Sequence, residues 1–368
     1  MFSSIPVFAL ATEATANSNF SVTVNTGPAS PNHDTVYPGQ PTSLRVTFSN
    51  NHNILPLTNV SFSQALPGDA NGGLRVNGPA IISGADCTYG SVTAVVGEAG
   101  IALAGLTVPA RQAGVDNSGE CYLDIPVVAW SVDGTSRSHA YNLPAGSVSS
   151  NEGPNSSGGP QSITVSAVPR PTWSKGFPTA NGTLILGAGS GTLRIVVNNP
   201  NPHGSLTNFA FNDPFPLNNN GVGGAIIEPV GTAAVVSCSP AGAVNPVVTL
   251  TQGAAAGVAV SGGTLPPNGS CTIDVAVQAR HSAGAYEVTG TNTMVANNFS
   301  SDEGLRPASN ATRNVTVRSP LAIAKSFNHA PNPIAAGVPS TFTVTLQNNG
   351  LTPLVVDDFE DNPISAAP

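Results

Sequence analysis

Alternation of apolar and polar positions is the first regularity in this chain. Leu44, Val46 and Phe48 fall on one side of residues 42–50, with mostly polar residues between them. The pattern returns at residues 191–199, with Leu193, Ile195 and Val197, and at residues 340–348, with Phe342, Val344 and Leu346. Period-two alternation bounded by Gly, Pro and Asn predicts strands with one buried face. Residues 42, 191 and 340 open the three copies at a constant spacing of 149 residues, so the pattern also exposes an internal repeat.

Other segments keep nearly the same spacing. Leu57-Thr58-Asn59-Val60-Ser61-Phe62 is echoed by Leu206-Thr207-Asn208-Phe209-Ala210-Phe211, and more distantly by residues 354–359. Asn151-Glu152-Gly153 matches Asp302-Glu303-Gly304, and Lys175-Gly176-Phe177 matches Lys325-Ser326-Phe327. Proline-containing joints at residues 168–171 and 318–320 interrupt ladder hydrogen bonding and mark boundaries. The expected organisation is an arm or signal-peptide remnant at 1–19, repeats at 20–168 and 169–318, and a partial third repeat at 319–368.

No run of three turns carries a 3.6-residue apolar period. The predicted fold is therefore all-β: tandem immunoglobulin-like β-sandwich repeats, two complete and a partial third. A copy of this length exceeds the roughly 100 residues of an immunoglobulin-type sandwich, which predicts long loops or extra strands. The partial repeat should supply three strands, near residues 321–326, 341–348 and 355–360. Three strands cannot close two sheets. Two readings stand: a piece of a longer repeat protein, or a subunit completed by a donated strand, with the arm containing Ile5, Val7 and Ala9 as a candidate donor.

Composition narrows the partners. Charged residues make up 9% of the chain, against about 25% in a typical soluble domain. The net charge is −8, and no Lys/Arg cluster could neutralise a row of phosphates, which argues against nucleic acid. No apolar run of about 18 residues predicts a transmembrane helix. Residues 5–11 resemble a short signal core, but no basic residue precedes them, so arm and remnant remain open.

The four cysteines lie at matched places, Cys87 and Cys121 in the first repeat, Cys238 and Cys271 in the second. Four cysteines allow three pairings, and duplication of the unit favours Cys87–Cys121 and Cys238–Cys271. One pair per module points to an oxidising, extracellular or cell-surface compartment. The alternation around Cys121 and Cys271 places both on the inward side of a strand.

Several segments together resemble a bacterial conserved-repeat family, domain of unknown function eleven. They are Lys325-Ser326-Phe327, a strand ending in Asn-Asn, the Leu-Thr-Asn-x-x-Phe segment, and the run from Gly263 through Pro266-Pro267-Asn268-Gly269-Ser270-Cys271 to Ile273. Ala283-Gly284-Ala285-Tyr286 fits its late segment. The resemblance covers most of 170–359 and, more loosely, 20–168. It implies immunoglobulin-like domains in large surface or extracellular proteins and supplies no catalytic residues. The first repeat departs from it, with Thr26 in the lysine position and residues 114–120 lengthening the approach to Cys121.

Candidate chemistry is sparse. Gly187-Ala188-Gly189-Ser190-Gly191 looks like a phosphate loop, but a strand follows it, so a turn is expected. The histidines show neither metal-ligand spacing nor a nucleophile-elbow context. No catalytic residue and no cofactor is predicted. Asp357, Asp358, Glu360 and Asp361 form the densest acidic run and are a calcium candidate, although they lack the spacing and glycine of a calcium loop. The only lysines, Lys175 and Lys325, sit at equivalent places near a strand start. Either could join an acid or amide in an isopeptide bond, with Glu152 and Glu303 as acid partners, or form an exposed ion pair. The functional expectation is a structural extracellular repeat protein of a bacterial envelope, a stalk, filament or surface-layer component, whose partners are its own copies or neighbouring repeats. An adhesin that binds a surface glycan or protein through end loops such as residues 218–224 is the alternative. Ancillary domains of a larger secreted enzyme are a third reading.

Overall fold

Branched and aromatic residues of alternating polarity form strands because they pack well on a pleated surface with one side buried. The computed structural model describes residues 17–26, 35–52, 54–158, 160–179, 181–217, 224–280, 287–327, 339–349 and 353–359. Within these, helical structure is confined to two short 3-10 turns, Gly253–Ala255 and Ala296–Asn298. Two compact units are present. The first runs to Arg170 and includes Pro200–Thr207 and Ser301–Arg306; the second holds Pro171–Asn199, Asn208–Ser300 and the chain from Pro307.

In the first unit the largest sheet runs Asn155–Gly158, Asn17–Thr26, Pro41–Asn50, Glu120–Ser131, Gly72–Val76, Gly68–Asp69, and Ile81–Ser83 also pairs with Glu120–Ser131. Two smaller sheets oppose it. One is Arg137–Asn142, Pro160–Val165, Thr35–Val36, and the other is Leu57–Ala65, Gly100–Val108, Ser91–Ala94. All three contribute to one buried cluster that includes Phe20, Leu44, Phe48, Leu103, Ile125 and Ile163. Shared burial of inner faces defines a β-sandwich.

The second unit repeats this plan. Its main sheet is Thr172–Gly176, Ser190–Asn198, Ser270–Ala279, Ile227–Pro229, with Val235–Ser239 also on Ser270–Ala279. The smaller sheets are Thr183–Ile185, Ala311–Arg318, Glu287–Met294 and Leu206–Pro214, Gly257–Leu265, Val247–Thr251. Register is kept as well: Phe48 faces Cys121 and Val197 faces Cys271 across the central pair of strands. The glycine-rich 187–191 segment is a turn into Ser190–Asn198, with Gly187 and Gly189 at positive φ.

The repeated motifs turn out to be strand-end fixtures. Asn50 and Asn199 are buried, and their side-chain amides donate to main-chain carbonyls of the opposing sheet, Asn50 to Pro109 at 3.1 Å and Asn199 to Leu265 and Pro266 at 3.1 and 3.0 Å. Asn59 and Asn208, from the Leu-Thr-Asn segments, hold φ of 54° and 51°. Asparagine tolerates this left-handed region better than most residues. Glu152 accepts from the N–H and hydroxyl of Thr58, and Glu303 does the same for Thr207.

Residues 319–368, expected to form a partial third repeat, contain one hairpin among the described residues, Leu321–Phe327 against Phe342–Asn348. Phe342 is 39% and Leu346 44% exposed. The strand expected at residues 355–360 is a correction: through Phe359 it forms no ladder, and Val355 is 82% exposed. Apolar alternation does not make a strand without a neighbour to take its hydrogen bonds. The arm with Ile5, Val7 and Ala9, the loop residues 218–223, and Glu360 and Asp361 lie outside the described residues.

Candidate functional site

Three polar side chains converge inside the second unit. Lys175 lies on Thr172–Gly176, Asp213 on Leu206–Pro214 and Asn292 on Glu287–Met294, one strand from each of the three sheets. Each occupies an inward position of its strand. Trp173 and Phe177 flank Lys175 in alternation, Phe209 and Phe211 lead to Asp213, and Met294 follows Asn292. Period-two geometry therefore sends all three polar groups into the core.

The lysine ammonium donates to Asp213 Oδ1 at 2.6 Å and to Asn292 Oδ1 at 2.7 Å. The Lys175 and Asp213 side chains are 1% and 0% exposed, and Asn292 is fully buried. Asp213 Oδ2 and Asn292 Nδ2 meet no partner in good hydrogen-bond geometry among the described residues, although the Asn292 side chain lies close enough to Asp213 to draw its carboxyl down. The surroundings are aromatic: Trp173 meets Phe211 edge-on at 5.6 Å and Phe299 at 5.5 Å. Gly263 lies under Phe209, where a Cβ would come within 2.3 Å of the ring. Burial pushes the Lys175 ammonium below its ordinary value, against the attraction of Asp213, and pushes the Asp213 carboxyl up, against the attraction of Lys175. Both shifts favour the neutral amine and the neutral acid.

The sequence singled out Lys175 but not its partners. Glu303 is held by Thr207 and Glu152 by Thr58, so neither is the acid beside Lys175, and the exposed ion pair expected there is a buried one. A carboxylate on the apolar face of Leu206–Pro214, in step with Phe209 and Phe211, was the available signal for Asp213. The meeting of three strands far apart in sequence was not visible. Lys325 lies exposed on the hairpin, its ammonium 5.9 Å from the Phe342 ring centre. Asp357 and Asp358 are exposed, and the described residues contain no metal-holding group of His, Cys, Asp or Glu.

The cysteines are joined as Cys87–Cys121 and Cys238–Cys271, with Cys121 and Cys271 fully buried. Each bridge closes a loop of similar size, 34 and 33 residues apart.

A family model described as Domain of unknown function (DUF7933) matches residues 31–165. That span falls within the first repeat, where the likeness to domain of unknown function eleven is the looser. No curated protein matches the chain. Among solved structures, similar chains include the collagen binding domain of Erysipelothrix rhusiopathiae surface protein RspB, at 13% identity over 80% of this chain and 94% of that one, with a TM-score of 0.25. The C-terminal domain of the AgI/II polypeptide BspA of Streptococcus agalactiae matches at 11% identity over 81% and 99%, with a TM-score of 0.30. Collagen adhesin (CNA) from S. aureus matches at 10% identity over 92% and 99%, with a TM-score of 0.23.

Proposed function

We propose that this chain is a structural extracellular segment, built of tandem sandwiches, from a stalk, filament or surface layer of a bacterial envelope. The observation that carries the reading is the placement of the disulfides: each sandwich has one, and both join the strand facing Phe48 or Val197 to the segment before it. Disulfides kept at the same place in successive modules fit an oxidising exterior. They also fit a part whose work is to stay folded, because each removes loop entropy from the unfolded chain. On this reading the chain is not an enzyme and needs no cofactor, and its partners are its own copies or neighbouring repeats.

One observation favours an adhesive reading. Residues 111–117, which overlap the 114–120 stretch where the first repeat departs from the second, border a groove of about 650 Å³ together with Glu120. Loops held on a rigid sandwich are common recognition surfaces. Full-length protein applied to glycan and extracellular-matrix protein arrays separates the two readings. The structural reading expects no saturable binding. Saturable binding that disappears when residues 112–118 are replaced by a Gly-Ser linker would establish the adhesive one.

A further inference from the structure

The geometry points to a covalent cross-link: we propose that Lys175 and Asn292 are joined by an isopeptide bond between Nζ and the side-chain carbonyl carbon, with Asp213 as the proton carrier. The inference rests on the interior of the second unit and is independent of the proposed surface role.

The three groups stand in reacting order. Lysine only donates hydrogen bonds, so the amide oxygen of Asn292 faces it, at 2.7 Å. The carbonyl carbon lies one C=O bond, about 1.2 Å, behind that oxygen. A modest rotation of the amide brings the amine to the roughly 3–3.5 Å from which attack proceeds. The amide nitrogen, which must leave, is in no well-formed hydrogen bond among the described residues, and the side chain within its reach is Asp213, the group that delivers its proton. Asp213 touches the amine through one carboxyl oxygen, and its second is unengaged.

The step balances without an oxidant or co-reactant. Transfer of one proton from Lys175 to Asp213 gives a neutral amine and a carboxylic acid, with no change in the proton count of the pair. The amine attacks the Asn292 carbonyl carbon while the Asp213 proton passes to the carbonyl oxygen. Asp213 then takes a proton from the attacking nitrogen and delivers it to Nδ2. The carbon–Nδ2 bond breaks and ammonia departs, the hydroxyl proton returns to Asp213 as the carbonyl re-forms, and Asp213 ends as the carboxylic acid it was after the first transfer. Burial among aromatic rings favours the first transfer, because a dry site penalises the charged form of each partner.

A purely structural ion pair explains the site less well. A buried pair is often no more stable than apolar residues of the same volume, and this one leaves two polar atoms unsatisfied. The chain also offers an internal contrast. At the spacing of 149 the first unit has Thr26 for Lys175 and Gln64 for Asp213, and at the 151-residue offset of Cys87 and Cys238 it has Tyr141 for Asn292, so all three groups are missing together. The third copy, by sequence, has Lys325 and, two residues past the phenylalanine that matches Phe211, Asp361. Lysine and aspartate thus occur together or not at all.

Intact-mass measurement of the full chain, with both disulfides kept, decides the matter. The expected mass is about 17 Da below that of the disulfide-bonded sequence, the loss of one ammonia. Digestion should yield a branched peptide linking Lys175 to Asn292. Lys175→Arg and Asn292→Ala should each restore the unshifted mass. An unshifted wild-type mass overturns the bond. A loss of about 18 Da with Lys175 linked to Asp213 overturns the choice of acceptor. Asp213→Asn, read only in the monomeric β-structured fraction that retains Cys238–Cys271, should leave the mass unshifted; cross-linking at the wild-type extent overturns the role of Asp213.

Discussion

Asn199 is the clearest case of one residue doing a job its motif did not disclose. The Asn-Asn at a strand end is legible as a repeat, but its partners, the carbonyls of Leu265 and Pro266, lie 66 and 67 residues away. Asn199→Ala leaves buried carbonyls unpaired and should cost about 1–3 kcal/mol. Arg194, paired with Asp274 across the sheet but 47% exposed, should lose far less on mutation to Ala, because solvent screens an exposed pair. Urea titration of the two variants tests the contrast; equal losses would contradict it. Glu303 yields a pH prediction. Burial raises its carboxyl above the ordinary glutamate value, against the opposing bonds from Thr207. A carboxyl raised in the folded state contributes stability that is full below the unfolded value and is lost as pH rises through the folded value. Glu303→Gln should therefore lose less stability than wild type as pH rises above the ordinary glutamate value of about 4.3. Identical profiles for the two would refute this account of Glu303. Asp213 was legible only as a charge out of place on an apolar strand, and Asn292 not at all, because contact among three strands is a tertiary fact.

At the scale of elements, alternation was a sound guide wherever a neighbour existed. Glu120–Ser131 buries every second residue along its whole length, and Ser270–Ala279 does so from Cys271 onward. Residues 355–359 alternate less cleanly and, among the described residues, pair with no strand. The disulfides couple these central strands to the segments before them, and duplication alone was enough to select the pairing. Non-reducing peptide mapping should recover Cys87–Cys121 and Cys238–Cys271; mixed pairs between repeats would contradict the assignment. Replacing Cys238 and Cys271 together by Ser frees a 33-residue separation. The chain-entropy estimate for such a loop is about 4 kcal/mol, so the melting temperature should fall by many degrees. An unchanged melting temperature would show that the bridge contributes little to the fold. Turn chemistry is cheaper: Asn208→Ala, at φ of 51°, should cost about 1–2 kcal/mol.

At the scale of the molecule, the nearly constant spacing of strands, cysteines and strand-end motifs, 149 to 151 residues, made the all-β repeat architecture legible in advance, because each feature is set by local sequence. Function was less legible, because no spacing of nucleophile, histidine or acid along the chain singles out a chemistry. What the structure adds is a first sandwich whose loop is enlarged beside Arg111 and a second whose interior holds Lys175, Asp213 and Asn292 in contact. Both fit a protein working outside the cell, where chaperones and repair are remote and covalent closure prolongs the life of a fold. Immunogold electron microscopy of intact producing cells, with antibodies raised against the full chain, tests that claim most directly. The account predicts label on the unpermeabilised cell exterior, along a filament or across a surface layer. Label that appears only after permeabilisation would contradict it.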